Sequence, residues 1–402
     1  MISRKFLEKI YDSAYVQRWN DKVRPAEFVE LDKQAHKMTI AYLFGKFQEK
    51  ENGFDWVEVV ESGIFDFLQR LVLTDLKPEL LWKIRTEAPA KYDELNQWVY
   101  SKLEPYIAPL GNGFSIRYMN RFCQPSNINT RIIDAAHLYS SKWEFDFIEK
   151  ANPEGYEVRE IKEDFEKDVE EYNDVEGIKS LVLHKRYRNF VEFCGLLRFQ
   201  YRWGHLYMIP RTSVLGHMLI VAILSYLFSL EMKACKRRCI NNFFTGLFHD
   251  LPEVLTRDVL LPIKKSVEGL EDLIKDYERE QMDERVYPLI PKEWRKEFKL
   301  YTLTEFKDIV TVKNRPFPTD FRDICTNFND DKYNPRDGAV VHACDKLAAF
   351  LEAHLAINNG IRNEQIAGAR KQLLKELTEE SVLVEPQFEG FHSLMLEFAN
   401  AV

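Results

Sequence analysis

Positive charge is in deficit in this chain: 56 lysines and arginines stand against 64 aspartates and glutamates, a formal net charge of −8. That balance argues against broad, sequence-independent binding to nucleic acid. It leaves room for a small phosphorylated substrate, which needs only a local cluster of cations. Paired cysteines are also lacking. Cys123, Cys194, Cys235, Cys239, Cys325 and Cys344 include no CxxC pair, and scattered cysteines of this kind read as buried thiols. Cys235 and Cys239 lie one helical turn apart, but a lone pair is a weak metal signal. Long apolar runs are few. The longest, Met218 to Leu230, falls short of a membrane span and is interrupted by Ser225 and Ser229. The opening MISRKFLEKIYDSAYVQRW is too polar for a signal peptide. A cytoplasmic protein that does not enter membranes is expected.

Strand-like alternation is scarce, and LVLHKRYRNFVEF at 181–193 is the best short candidate. What is plentiful is helical periodicity. Apolar residues recur at three and four in FLEKIYDSAYVQRW, HMLIVAILSYLFSL and CDKLAAFLEAHLAI. An all-α fold is expected, and 402 residues exceed what one core usually organises. Residues 151–180, acidic and opened by Asn-Pro, read as a connector between a domain at 1–150 and another at 181–402.

The two halves share blocks in one order. Arg18-Trp19 matches Arg202-Trp203. QAHKMTIAYLFGKF, with His36, matches LGHMLIVAILSYLF, with His217. SGIFDFLQRLVLTD matches TGLFHDLPEVLTRD, and RIIDAAHLYSS matches AVVHACDKLAA. A tandem duplication is the preferred reading; coincidence among amphipathic helices does not readily explain an Arg-Trp pair recurring shortly before each histidine.

The second copy is rich in donors. His217, His249, Asp250 and Asp345 fall in helix-like segments far apart in sequence. Such groups can converge in a bundle on one divalent ion, and imidazole with carboxylate suits Mn, Co, Fe, Ni or Zn better than Ca or Mg. Singly each has a plain explanation. The adjacent pair His249-Asp250 in an apolar segment is harder to dismiss, because burying both is costly without a compensating cation.

The pattern H…HD…D resembles the HD-domain metal-dependent phosphohydrolases, an all-helical superfamily. HDLPEVLTRDVLLPIK, the preceding Arg202-Trp203 and Val214-x-x-His217 resemble, more narrowly, the YfbR-like bacterial 5′-deoxynucleotidases. The resemblance covers roughly residues 195–355. It implies two tandem HD-like bundles packed as an internal pseudo-dimer, with one metal per chain held by His217, His249, Asp250 and Asp345. Glu253 would be the base and Asp258 the second catalytic acid. Arg202, Trp203 and Lys264 would bind the substrate, a nucleoside 5′-monophosphate with deoxy preferred. Pro252 and the charged segment 268–335 depart from the pattern. Other phosphoesters (cyclic nucleotide, triphosphate or alarmone) and a non-catalytic nucleotide-binding regulator remain open. Against the alarmone reading, Val254 stands where an aspartate is usual.

With the halves superposed at Gly63 and Gly246, Asp66 takes the place of His249, Phe67 that of Asp250 and Arg70 that of Glu253. Asp75 stays opposite Asp258, His137 faces Asp345, and His36 keeps the place of His217. The first half is expected to keep the fold and to have lost the metal site. The sharper alternative is a different three-ligand set of His36, Asp66 and His137.

Overall fold

A computed structural model describes residues 2–74, 76–257, 266–379 and 385–400. It is all-α apart from one short hairpin. The chain divides into two compact units, residues 1–180 and 181–402.

The first unit opens with α1 (Arg4–Ile10), α2 (Glu30–Gln48), α3 (Trp56–Leu73), α4 (Pro78–Glu87), α5 (Pro89–Ile107), α6 (Asn112–Cys123) and α7 (Ile128–Ala151). Helix α2 is buried nearly all round and packs along α7. Asp55 caps α3 through Val57 N–H, and Asn127 with Thr130 forms a capping box that starts α7. The acidic stretch expected as a connector belongs to this unit. Its helix α8 (Val158–Glu171) lays Val158, Ile161 and Phe165 against Phe28, Phe145 and Ile148. Hydrophobic residues at three and four give an acidic helix a face to bury.

The second unit opens with α9 (Glu176–Leu183), which begins just before the division, and α10 (Lys185–Leu196). The candidate strand at 181–193 is therefore helical; Phe190 and Val191 follow the buried Tyr187 by three and four residues, and Cys194, just beyond, follows them by four and three. Then come α11 (Val214–Glu231), α12 (Lys236–Phe248), α13 (Glu253–Thr256), α14 (Leu270–Gln281), α15 (Lys292–Leu303), α16 (Phe321–Asn327), α17 (Gly338–Asn358), α18 (Glu364–Glu379) and α19 (Glu389–Asn400). The apolar run expected to be too short for a span is α11, 18 residues long and, by length and composition, apolar enough to cross a membrane. Here it is the central helix of the unit, 89% buried, packed by α12 and α17. Gly246 allows that packing. A Cβ there would lie 2.8 Å from the Ala222 backbone, so α12 meets α11 one turn before His249. The hairpin pairs Ile309–Val312 with Arg315–Pro318 across Lys313 and Asn314, both at positive φ, a two-residue turn in the midst of helices.

Candidate metal centre

His217 lies in the first turn of α11, fully buried, and Asp345 lies in the third turn of α17. His249 and Asp250 follow the end of α12 rather than sitting inside a continuous helix. Pro252 is the reason: it has no N–H to extend the ladder, and it becomes the N-cap of the short α13, which starts at Glu253. A tight turn, rather than an unbroken helical one, thus joins His249 to Glu253. Leu251 N–H bonds Phe248 O (3.1 Å), and Glu253 N–H bonds Asp250 O (3.0 Å).

The donors converge. His217 Nε2 is 2.9 Å from Asp345 Oδ1 and 3.9 Å from Asp250 Oδ2. His249 Nε2 is 3.1 Å from Asp250 Oδ2 and 3.8 Å from Asp345 Oδ1. One ligand atom each from His217, His249 and Asp345 fit within 4.8 Å of one another. Ligands at about 2.0–2.2 Å from a common ion are separated by roughly 3 to 4 Å, which matches these four distances. The outer ring nitrogens are already committed: His249 Nδ1 donates to Gly246 O (2.8 Å) and His217 Nδ1 to Glu352 Oε1 (3.2 Å). Both Nε2 atoms are thereby left to face the cluster. His249 Nε2 is buried and has no hydrogen-bond partner. An orphaned imidazole nitrogen aimed at two carboxylates is what a metal ligand looks like without its ion. The residues fit a divalent transition metal.

The electrostatics agree. Burial alone would lower the His249 imidazolium, yet Asp250 and Asp345 outweigh it and raise the pKa well above the ordinary value. Asp345 is held well below the carboxylate range although burial opposes this, because the His217 and His249 imidazoles lie beside it. Asp250 is lowered too, against burial, chiefly by His249. The carboxylates call for positive charge at this point.

Glu253 is buried at the start of α13. Arg202 places Nη1 3.5 Å from Asp250 Oδ2 and Nε 3.2 Å from Glu352 Oε2. Trp203 was expected to shape the substrate pocket. Its indole N–H is committed to Glu352 Oε2 (2.8 Å), and its ring packs against the cluster of Met208, Ala353, Ala356 and Ile366. Asp258 and Lys264 lie outside the described residues. Two further groups border the site without having been singled out from sequence. The Phe306 ring lies 6.1 Å from that of His249. Burial raises the Glu305 carboxyl above its ordinary range, and its Oε2 has no hydrogen-bond partner. A Cβ on Gly338 would collide with the Phe306–Lys307 backbone, so this loop is pressed onto the start of α17. Nothing in the charged segment's composition marks these two.

Residues 194–374 match the family model of the HD domain. Every donor above falls within that match, and the result supports placing the second unit in the HD-domain superfamily. HD domains are mostly metal-dependent hydrolases. No curated protein matches the chain.

The first unit can be set against the second element by element. A backbone bridge joins Gln17 to Val29, and another joins Tyr201 to Ser213, 184 residues on in each case (201 − 17, 213 − 29). Arg18 N–H bonds Phe28 O, as Arg202 N–H bonds Thr212 O. Trp19 and Trp203 sit at φ 55° and 56°. The Trp19 indole and the Arg18 guanidinium bind Glu144, seven residues after His137, just as Trp203 and Arg202 bind Glu352, seven after Asp345. This frame puts Lys33, not His36, in the place of His217 (217 − 184). Lys33 Nζ hydrogen-bonds His137 Nδ1, where His217 meets Asp345. His36, three residues further on, turns away and packs edge-on against Trp143 at 4.6 Å. Asp66 pairs with Arg121 (3.0 Å) and Lys37 (3.2 Å). The alternative ligand set His36, Asp66 and His137 is not brought together; the group of donors that could hold an ion among the described residues is the one in the HD domain.

Proposed function

We propose that this chain is a metal-dependent phosphohydrolase of nucleoside 5′-monophosphates, with deoxynucleotides preferred, and that its first unit is a degenerate copy of the second. The observation that carries the reading is the convergence of His217, His249, Asp250 and Asp345 around an unpartnered buried Nε2. His217, His249, Asp250 and Asp345 would hold the ion, which when bound supplies Lewis acidity and positive charge for a phosphoryl oxygen. Arg202 stands beside Asp250, so a phosphate lodged at the cluster meets a guanidinium fork suited to its oxygens. Glu253, buried three residues after Asp250, takes the proton of the attacking water. Asp258 would serve the leaving 5′-oxygen. The narrowing to nucleoside monophosphates rests on the resemblance of the Arg-Trp pair and of the run from His249 to Lys264.

The test is phosphate release from mono-, di-, tri- and cyclic ribo- and deoxynucleotides, run metal-free and then with Mn, Co, Ni, Zn and Mg, beside D250A. Metal-dependent release from 5′-monophosphates, lost in D250A, is the expected result. Release from triphosphates or cyclic substrates alone overturns the substrate and keeps the metal centre. Silence with metal bound favours a nucleotide-binding regulator.

A further inference from the structure

Glu352 belongs to none of the roles assigned so far. It is 1% exposed and lies seven residues, two turns, beyond Asp345 on α17, so both side chains share one helix face. Its two oxygens are fully engaged. Oε1 accepts from His217 Nδ1 at 3.2 Å; Oε2 accepts from Trp203 Nε1 at 2.8 Å and from Arg202 Nε at 3.2 Å. A buried carboxylate is expensive unless it is paired and hydrogen-bonded. Three donors meet that demand here, and one of them, Arg202, carries a full charge.

The first unit separates the two things this carboxylate does. Glu144 holds Arg18 (2.8 Å) and Trp19 (2.9 Å) in the same clamp, but Lys33 stands in the place of the histidine. The clamp on the Arg-Trp pair is therefore common to both units. The bond to an imidazole is peculiar to the second. There it fixes the proton on Nδ1 and turns Nε2 toward the cluster. An outer carboxylate of this kind typically changes metal affinity by about 10–100-fold when removed.

We propose that Glu352 is a positioning residue that ties the metal ligand His217 and the substrate-side cation Arg202 to one buried carboxylate. Ion affinity and phosphate recognition then share a single support. The inference rests on the metal-centre reading above. Two consequences follow: loss of the carboxylate weakens the ion's hold and raises KM for the phosphorylated substrate, because Arg202 loses its anchor.

The test is Mn²⁺ affinity by isothermal titration calorimetry on the full chain, for wild type, E352Q and E144Q, with a thermal melt of each. Glutamine keeps the shape but turns one of the two accepting oxygens into an N–H₂ that faces the donors on that side and removes the charge. E352Q is expected to bind Mn²⁺ about 10–100-fold more weakly, and E144Q to bind as wild type does while showing the fold cost of breaking the shared clamp. E352Q binding within twofold of wild type overturns the proposal. So does an equal loss in E144Q, since the effect would then be one of fold alone. Wild type that takes up no Mn²⁺ overturns the metal centre itself, an outcome visible before any variant is read. Should E352Q fail to fold, W203F reads the same claim. It removes one of the three donors that fix the carboxylate, so Mn²⁺ affinity drops by a smaller factor; an unchanged affinity counts against the proposal.

Discussion

The two units solve one problem in two ways. Each gathers buried carboxylates beneath an Arg-Trp pair held by a glutamate two turns along the last site helix. In the first unit side chains supply the positive charge: Arg18 meets Glu30 and Glu144, Lys37 and Arg121 meet Asp66, and Arg70 lies 3.7 Å from Glu30. In the second unit Val214 stands in the position of Glu30, and Asp250 and Asp345 face two imidazoles instead. A site neutralised by arginine and lysine is complete; one lined by imidazole nitrogens asks for an ion. The backbone differs correspondingly. Helix α3 runs unbroken through Asp66 and Arg70, whereas α12 ends at Phe248, before the His249-Asp250 pair, and Pro252 caps the short α13.

The comparison breaks first at the ligands. D345A or H249A is expected to abolish Mn²⁺ binding and to lower phosphate release at least a hundredfold, while D66A and H137A leave release within about twofold if substrate and ion are handled in the second unit alone. Inductively coupled plasma analysis of the purified proteins, beside initial rates, decides it. Loss of metal from the first-unit variants would undo the assignment. A step smaller is the base. E253Q is expected to keep its metal and lose about 10²–10⁴-fold in kcat. E253Q turning over at the wild-type rate would remove Glu253 from the chemistry. Arg70, its counterpart, tolerates glutamine without change in rate on the same grounds.

The helical character could be read from periodicity, and one motif drew attention to the donors, because adjacent His and Asp in an apolar segment carry their own electrostatic demand. The register of the repeat could not. His36 looks like the partner of His217 because both precede an apolar helix, yet the backbone frame around Arg18-Trp19 places Lys33 there, three residues away, on a helix so evenly buried that no face stands out. Glu352 and Glu144 were invisible for a related reason. A carboxylate two turns beyond a ligand reads as a solvated helix face until its donors, about 150 residues away for Arg202 and Trp203, are seen.

Stability at low pH sharpens the comparison next. Burial would raise Glu30, but Arg18, Arg70 and Lys33 outweigh it and bring it down to about 2 from an ordinary 4.5. A folded-state pKa below the unfolded one contributes stability above pH 4.5 that is lost as the pH falls through 2. The shift corresponds to about 3 kcal/mol. Urea unfolding of E30Q against wild type should show a gap of that order at pH 6 that closes toward pH 2. A gap independent of pH would mean that Glu30 contributes through packing rather than charge. Val214 stands at the matching position of the second unit, so E30Q should leave that unit's own unfolding where it is in wild type.

The smallest effect is expected at Lys33, where the comparison is most exposed to refutation. This lysine fills the position of a metal ligand, but the charge of the first unit is already balanced by Arg18, Lys37, Arg70 and Arg121. Burial lowers the Lys33 pKa well below the ordinary 10.5, Glu30 opposes that and Arg18 adds to it. Below pH 10.5 the unfolded chain therefore binds more protons here than the folded one, and wild-type stability rises with pH toward that value. Methionine has a similar length and no charge. K33M should forfeit the bond to His137, escape the cost of burying an ammonium, and differ from wild type by no more than about 1 kcal/mol at pH 7. The balance should then tip toward wild type as the pH rises to 10. A loss of several kcal/mol at pH 7 would instead make Lys33 the cation that this unit cannot do without, the side-chain equivalent of the ion in the other.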